Sequence, residues 1–287
     1  MNEIRGILKH NEDLLDKMEN VLKNEKSNFV RDGLLYRGEI HYCDGCWERH
    51  QSTEEESLWL NSPIKVMFLM KEYTNESMND IRYETGRKNY IKEGQSYIKR
   101  DAFTMNIVYW LYGLTHLTYN VSALYSEIKD GYKCFHFYEM YPLLRINCKK
   151  ISGGSTCDNK TLQNYLENIE YSQLLSQQIS LFDANIIVCC GGGGRIASFV
   201  KEQCYSTDSW QQFEKESLWY NKNHDKLIFD SYHPSCRYSR QELFEGIIGC
   251  YQRFVEENQY FQKKLDDMKE FEENILEQRP FQVIYWK

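Results

Sequence analysis

Four short apolar runs, each broken off by a polar or glycine-rich loop, do most to limit what this chain can become. They are Ile64–Met70, Leu143–Ile146, Asn185–Cys190 and Leu227–Phe229. Runs this short, with little alternation, read as strands buried on both faces, which is the habit of parallel sheets covered by helices. The intervening segments suit that picture. Met105–Leu117 predicts a buried helix rich in Tyr and Trp, Thr161–Leu181 a helix by period, and Gln241–Leu276 a helix with acidic and lysine-rich faces. Near the start, Ile4, Leu8, Leu14, Leu15, Met18, Val21 and Leu22 recur at helical spacing. The expectation is an α/β chain: an N-terminal helical extension over residues 1–62, then one α/β domain over 63–287 that closes on a C-terminal helix. No internal repeat or low-complexity linker divides it further.

In open α/β sheets, ligands gather where strands end at their carboxyl side. The loops there are the first place to look for chemistry. The first run ends in Lys71-Glu72-Tyr73-Thr74-Asn75, where Glu72 is either a site carboxylate or an acid serving a helix N-terminus. The second leads into Asn147-Cys148-Lys149-Lys150-Ile151-Ser152-Gly153-Gly154-Ser155, where Asn147 is either a ligand-reading amide or a turn residue. The third meets Gly191–Gly194 and Arg195. Strand, glycines and helix are the layout of a phosphate cradle, yet four consecutive glycines lack the spacing of the dinucleotide and P-loop fingerprints. A close strand-to-helix turn is the alternative. The fourth runs into His233-Pro234-Ser235, and the proline biases His233 to an extended backbone just past a strand end.

Totals narrow the classes. No apolar run approaches the ~20 residues of a membrane-spanning helix, and the opening Met1-Asn-Glu-Ile-Arg-Gly lacks an apolar signal core. A cytoplasmic protein without a membrane partner is expected, with its 10 Cys mostly reduced. Cys43-Asp-Gly-Cys46, with His50 nearby, is half of a zinc or iron–sulfur ligand set; Cys134, Cys148 and Cys157 could complete it only through the fold, and two unrelated thiols is the alternative. The net charge of −7 counts against a broadly basic nucleic-acid surface. Residues 81–100 run against that trend: Arg82, Arg87, Lys88, Lys92, Lys99 and Arg100 interleave with Tyr83, Tyr90 and Tyr97. Cations among aromatics suit a nucleic-acid backbone and its bases; a solvated loop is the other reading.

Taken together, the four loops resemble the uracil-DNA glycosylase superfamily in order and rough spacing, over about Ile64 to Arg237. The likeness is nearest to a bacterial branch with a Lys-Glu first motif, a Lys-Lys-x-x-Gly-Gly stretch after the Asn, and His-Pro-Ser last. The resemblance implies a three-layer α/β/α domain with a central, mostly parallel sheet. It implies hydrolysis of the N-glycosidic bond of a flipped uracil or modified pyrimidine in DNA, for repair or for defence against phage with modified DNA, by a monomer. Glu72 would orient water or steady the cationic sugar, Asn147 would pair with the pyrimidine edge, and His233 would support the departing base. Lys71, Tyr73, Thr74, Asn75, Lys149, Ser235 and Arg237 would line the substrate, and Arg87, Lys88 and Lys92 would hold the DNA backbone. The types suit the reaction, because a developing cation, an anionic leaving base and a pairing edge call for a carboxylate, a donor and an amide.

Departures from the family pattern matter. Glu72-Tyr73-Thr74 replaces the Asp-Pro-Tyr or Pro-Gly of uracil-specific members, so Thr74 falls where a tyrosine guards the pyrimidine C5 side, and tolerance of C5-substituted pyrimidines follows. Met70 stands at a motif glycine. Iron–sulfur members carry a second cysteine pair, but here Tyr171 and Ser172 fall near the last position, which leaves a cluster, zinc or no metal open at Cys43 and Cys46. Two other function classes remain: an inactive nucleic-acid-binding module of the same fold, and a nucleotide-binding α/β enzyme using Gly191–Gly194.

Overall fold

The structure, a computed structural model, describes residues 6–23, 28–43, 46–73, 79–86, 101–153, 158–205, 210–215 and 217–276. In chain order its elements are α1 (Ile7–Val21), β1 (Gly33–Leu34), the hairpin β2 (Ile40–Cys43) and β3 (Cys46–Arg49), α2 (Glu55–Asn61) and β4 (Val66–Met70). Then come α3 (Ala102–Thr115), α4 (Val121–Ile128), α5 (Tyr132–Met140), β5 (Leu144–Asn147), α6 (Asn159–Glu167), α7 (Ile169–Leu181), β6 (Ile186–Cys190) and α8 (Arg195–Phe199). The chain continues through β7 (Trp210–Glu214), β8 (Leu218–Asn221), β9 (Lys226–Ser231), α9 (Arg240–Glu256) and α10 (Gln259–Phe271).

The chain divides into two compact units. One takes Met1–Leu35, Lys65–Arg82 and Leu144–Tyr232, the other Tyr36–Ile64, Tyr83–Leu143 and His233–Lys287. Residues 1–62 are thus shared between the units.

The first unit carries the sheet. Among the described residues its strands run in the order β1-β5-β4-β6-β9-β8-β7. The four at the centre, β5, β4, β6 and β9, are parallel, and antiparallel β1 and β8–β7 extend the two sides. Every residue of β4, β5 and β6 is buried, the both-faces burial that their unbroken apolar runs predict. Strands joined through helical segments make this the expected α/β class, consistent with a three-layer α/β/α fold. α1 packs on α7 within this unit, and buries Leu14, Leu15 and Met18.

Helix ends follow local chemistry. The single helix predicted over 161–181 is two, because Asn168 leaves helical geometry (φ −69°, ψ 108°) and its side chain caps the Tyr171 N–H. Asp158 caps α6 in the same way through Thr161. In the second unit, Asp101 caps α3, and Ser239 with Glu242 forms a capping box at α9. The helix predicted over 241–276 is also divided, with Asn258 capping a separate α10. α3 packs on α5 and α9, with Ile248 and Phe244 seated closely over Gly113. The β7–β8 pair was not foreseen: Trp210-Gln-Gln-Phe-Glu214 has little apolar content to mark a strand.

Candidate active site

The parallel strands end together. Their registers place Asn147, Met70, Cys190 and Ser231 in one transverse row across β5, β4, β6 and β9. At the usual ~4.8 Å strand spacing that row is about 14 Å wide. Beyond it, β4 and β5 stay paired for two more steps, since Cys148 N–H donates to Met70 O and Lys149 N–H to Lys71 O, each at 2.8 Å. The first and second motifs are therefore held side by side.

Glu72 sits in this corner and is only 8 % exposed. Its Oε2 accepts from Lys149 Nζ at 2.5 Å, and Lys149 also donates to Ile151 O at 2.8 Å. Its Oε1 is buried and has no hydrogen-bond partner among the described residues. The floor beneath the carboxylate is Gly153, whose N–H donates to Tyr73 O at 3.1 Å. A Cβ on Gly153 would come within 2.8 Å of Glu72 Cδ and Oε1, so this position has room for glycine alone. Lys71, next in line, donates to Asn159 Oδ1 at 3.2 Å.

Asn147 is the last residue of β5, at the strand's end as expected, and its surroundings were not foreseen. Its backbone N–H donates to Asp32 Oδ2 at 2.7 Å and its Nδ2 to the same oxygen at 3.3 Å. Asp32 is wholly buried, just before β1. It also accepts from Lys150 Nζ at 2.7 Å on each oxygen and from Gln178 Nε2 at 3.0 Å. Asn11 on α1 donates to Asp32 O and accepts from Gln178. Burial pushes the Lys150 ammonium below its ordinary pKa, and Asp32 opposes that shift. Tyr171 seals the loop from the other side: its hydroxyl donates to Cys148 O at 2.9 Å and accepts from Lys150 N–H at 3.2 Å. That is the work done at a position the resemblance associates with a cluster cysteine. One clue to Asp32 was present in the sequence, an acid between the apolar pairs Phe29-Val30 and Leu34-Leu35.

At the end of β6, Gly191–Gly194 all take positive φ, between 58° and 91°, which a run of other residues would not adopt. The turn folds back so that Gly191 N–H donates to Ser231 O at 2.8 Å. Burial raises the Asp230 pKa against the pull of the Gly194 backbone and the Lys201 charge. A groove of about 740 Å³ opens beside the turn, with Gln163, Ser172, Arg195, Ser198 and Glu202 among its walls.

His233 belongs to the second unit, two residues after β9 leaves the row. Its Nδ1 accepts from Ser235 N–H at 3.2 Å, its carbonyl accepts from Cys236 N–H, and its ring lies 5.8 Å from the Phe103 ring. Asn106 Nδ2 donates to Pro234 O at 2.6 Å. With Nδ1 engaged as an acceptor, Nε2 is the ring nitrogen left to donate. Ser235 and Arg237 are exposed.

Other predicted residues fare differently. Arg82, read from sequence as part of a basic nucleic-acid stretch, is 5 % exposed and bound by Asp80 and Glu12. Burial between two carboxylates removes it from any such surface. Thr74, Asn75, Arg87, Lys88 and Lys92 lie outside the described residues, as do Cys157 and the side chains of Cys43 and Cys46. The backbone makes Cys43 and Cys46 the closing pair of the β2–β3 hairpin. Among the described residues no group of three or more His, Cys, Asp or Glu is arranged to hold a metal, and no helix is long and apolar enough to cross a membrane. Cys134 and Cys148, named as further ligands, are buried and form no disulfide among the described residues, and burial pushes the Cys134 thiol up. No protein-family model matches the chain, and no curated protein matches it.

Proposed function

We propose that this chain is a DNA glycosylase that hydrolyses the N-glycosidic bond of a flipped uracil or modified pyrimidine, in repair or in defence against phage with modified DNA. The observation that carries the reading is the Glu72 carboxylate. It is buried, charge-compensated by Lys149 on one oxygen, and without a hydrogen-bond partner among the described residues on the other, at a strand end adjoining Asn147. A carboxylate held this way is preorganised to steady an oxocarbenium-like sugar or to orient the attacking water. Asn147 offers an amide to the pyrimidine's pairing edge. The resemblance gives His233 the role of supporting the departing base as negative charge builds on it. The partner is DNA, and the place of action is the cytoplasm.

One test uses oligonucleotides bearing uracil, thymine and C5-substituted pyrimidines, single-stranded and duplex, followed by alkali to cut at abasic sites. Scission with at least one pyrimidine, abolished or nearly so in Glu72→Ala and His233→Ala, is the expected result. Intact strands across the whole panel would remove the reaction.

A second reading, an inactive nucleic-acid-binding module, draws on one observation: Asn147 is 2 % exposed and already engaged by Asp32. Binding of these oligonucleotides without scission would favour it.

A further inference from the structure

We infer that Asp32 is a positioning residue that locks the amide of Asn147 in one orientation, and so restricts the site to pyrimidines whose N3 carries a proton. This rests on the base-reading role proposed for Asn147. Asp32 Oδ2 already accepts from the Asn147 backbone N–H and from Lys150 Nζ, so it stands as an acceptor toward the amide. The end of the Asn147 amide that faces Asp32 Oδ2 must therefore be Nδ2, and the carbonyl Oδ1 is turned away from it. An amide free to turn over can satisfy either pyrimidine class. It can accept from N3–H and donate to a 4-keto oxygen, or donate to a bare N3 and accept from a 4-amino group. Fixing the amide removes that choice, leaving a carbonyl for N3–H and one remaining N–H for the keto oxygen.

The lock is itself held rigidly. Asp32 is fully buried and accepts the Asn147 backbone N–H at 2.7 Å, so the strand end and its side chain are tied to the same carboxylate. Lys150 binds both Asp32 oxygens at 2.7 Å, and Gln178 donates to Oδ1 at 3.0 Å. Lys150 is three residues from Asn147, so the loop that presents the amide also supplies the cation that grips both oxygens of the lock. A purely structural ion pair would have no need to reach the one side chain assigned to base reading.

The decisive variant is Asp32→Leu combined with Lys150→Met, which removes both charges together and keeps a branched side chain at position 32. The introduced side chain offers no acceptor to the Asn147 amide, so Asn147 is released. The parent and this variant are compared for uracil against cytosine in otherwise identical oligonucleotides, by excision and by binding. The parent should prefer uracil by at least about 100-fold, the scale on which mispaired buried polar groups reject a substrate. The variant should lose most of that preference while its denaturant midpoint shows a folded protein. Preference unchanged in a folded variant overturns the lock.

A second measurement does not depend on catalysis or on folding of the variant. In the parent, the side-chain amide protons of Asn147, identified by their loss in Asn147→Asp, should give two widely separated NMR resonances, one protected from exchange. Two averaged, rapidly exchanging resonances would sink the inference. A protein that cleaves nothing but shows the protected amide and prefers uracil in binding would keep the lock and discard the glycosylase reading.

Discussion

Two consecutive lysines in one loop make two buried ion pairs, and the pairs are finished to different degrees. Lys150 points to Asp32, whose carboxylate takes donors from Lys150, Asn147 and Gln178 on both oxygens. Lys149 points to Glu72, whose second oxygen is buried with no partner among the described residues. A carboxylate with all its lone pairs satisfied is a fastener. One left half-satisfied in a buried corner carries a desolvation cost that a folded protein tolerates best where the vacant oxygen meets a substrate.

The largest effect should come from breaking the finished pair on one side. Lys150→Met leaves Asp32 buried without its counter-charge, and should cost roughly 3–5 kcal/mol in urea unfolding. A loss below about 1 kcal/mol would mean the two pairs are alike.

Glu72→Gln comes next. Shape is kept and Lys149 retains its bond to Ile151, so the urea midpoint should move far less than in Lys150→Met. Excision should fall by about 10²–10³-fold, the usual cost of removing one preorganised electrostatic group. A variant that unfolds as readily as Lys150→Met would make Glu72 a second fastener.

Gly153→Ala sharpens the contrast from beneath. The added methyl group meets the Glu72 carboxylate, so the expected cost is roughly 1–3 kcal/mol of overpacking. Excision should fall with KM little changed, because a displaced carboxylate harms the transition state more than substrate docking.

The smallest effect is a pH slope. The folded pKa of Lys150 is lowered from 10.5, so above that lowered value the unfolded chain binds more protons at this site than the folded one. Its contribution to stability therefore rises with pH up to about the unfolded value. Cys189, Cys190 and Tyr171 are pushed up by burial and act the opposite way. They are present in both proteins, so the parent's advantage over Lys150→Met should widen between neutral pH and about 10. An advantage that narrows over that range would contradict the lowered lysine.

The sheet was legible because its central strands are buried on both faces, and continuous apolar runs record that directly. The loops at strand ends were legible for the same reason, being what interrupts the runs. Pairing was not. Lys150 and Asp32 are 118 residues apart, and Lys149 and Glu72 are 77 apart. Nothing in Lys149-Lys150 says which lysine faces which acid, since that is decided by the direction each side chain leaves the loop after β5. Arg82 misled for a related reason: among neighbouring basic residues its charge looked exposed, while Asp80 and Glu12 neutralise it in the fold. The break at Asn168 was hidden because the apolar period runs across it almost in phase.

Asp32 has a practical side for anyone producing this protein. The first 35 residues look dispensable, since the four strand-end loops all come later. Yet a shortened recombinant chain starting near residue 63 would lose the acid that neutralises Lys150, the Asn11 contact that steadies it, and the edge strand beside β5. Such a product should precipitate or expose the Asn147 strand end, and a negative assay on it would say nothing about the intact protein.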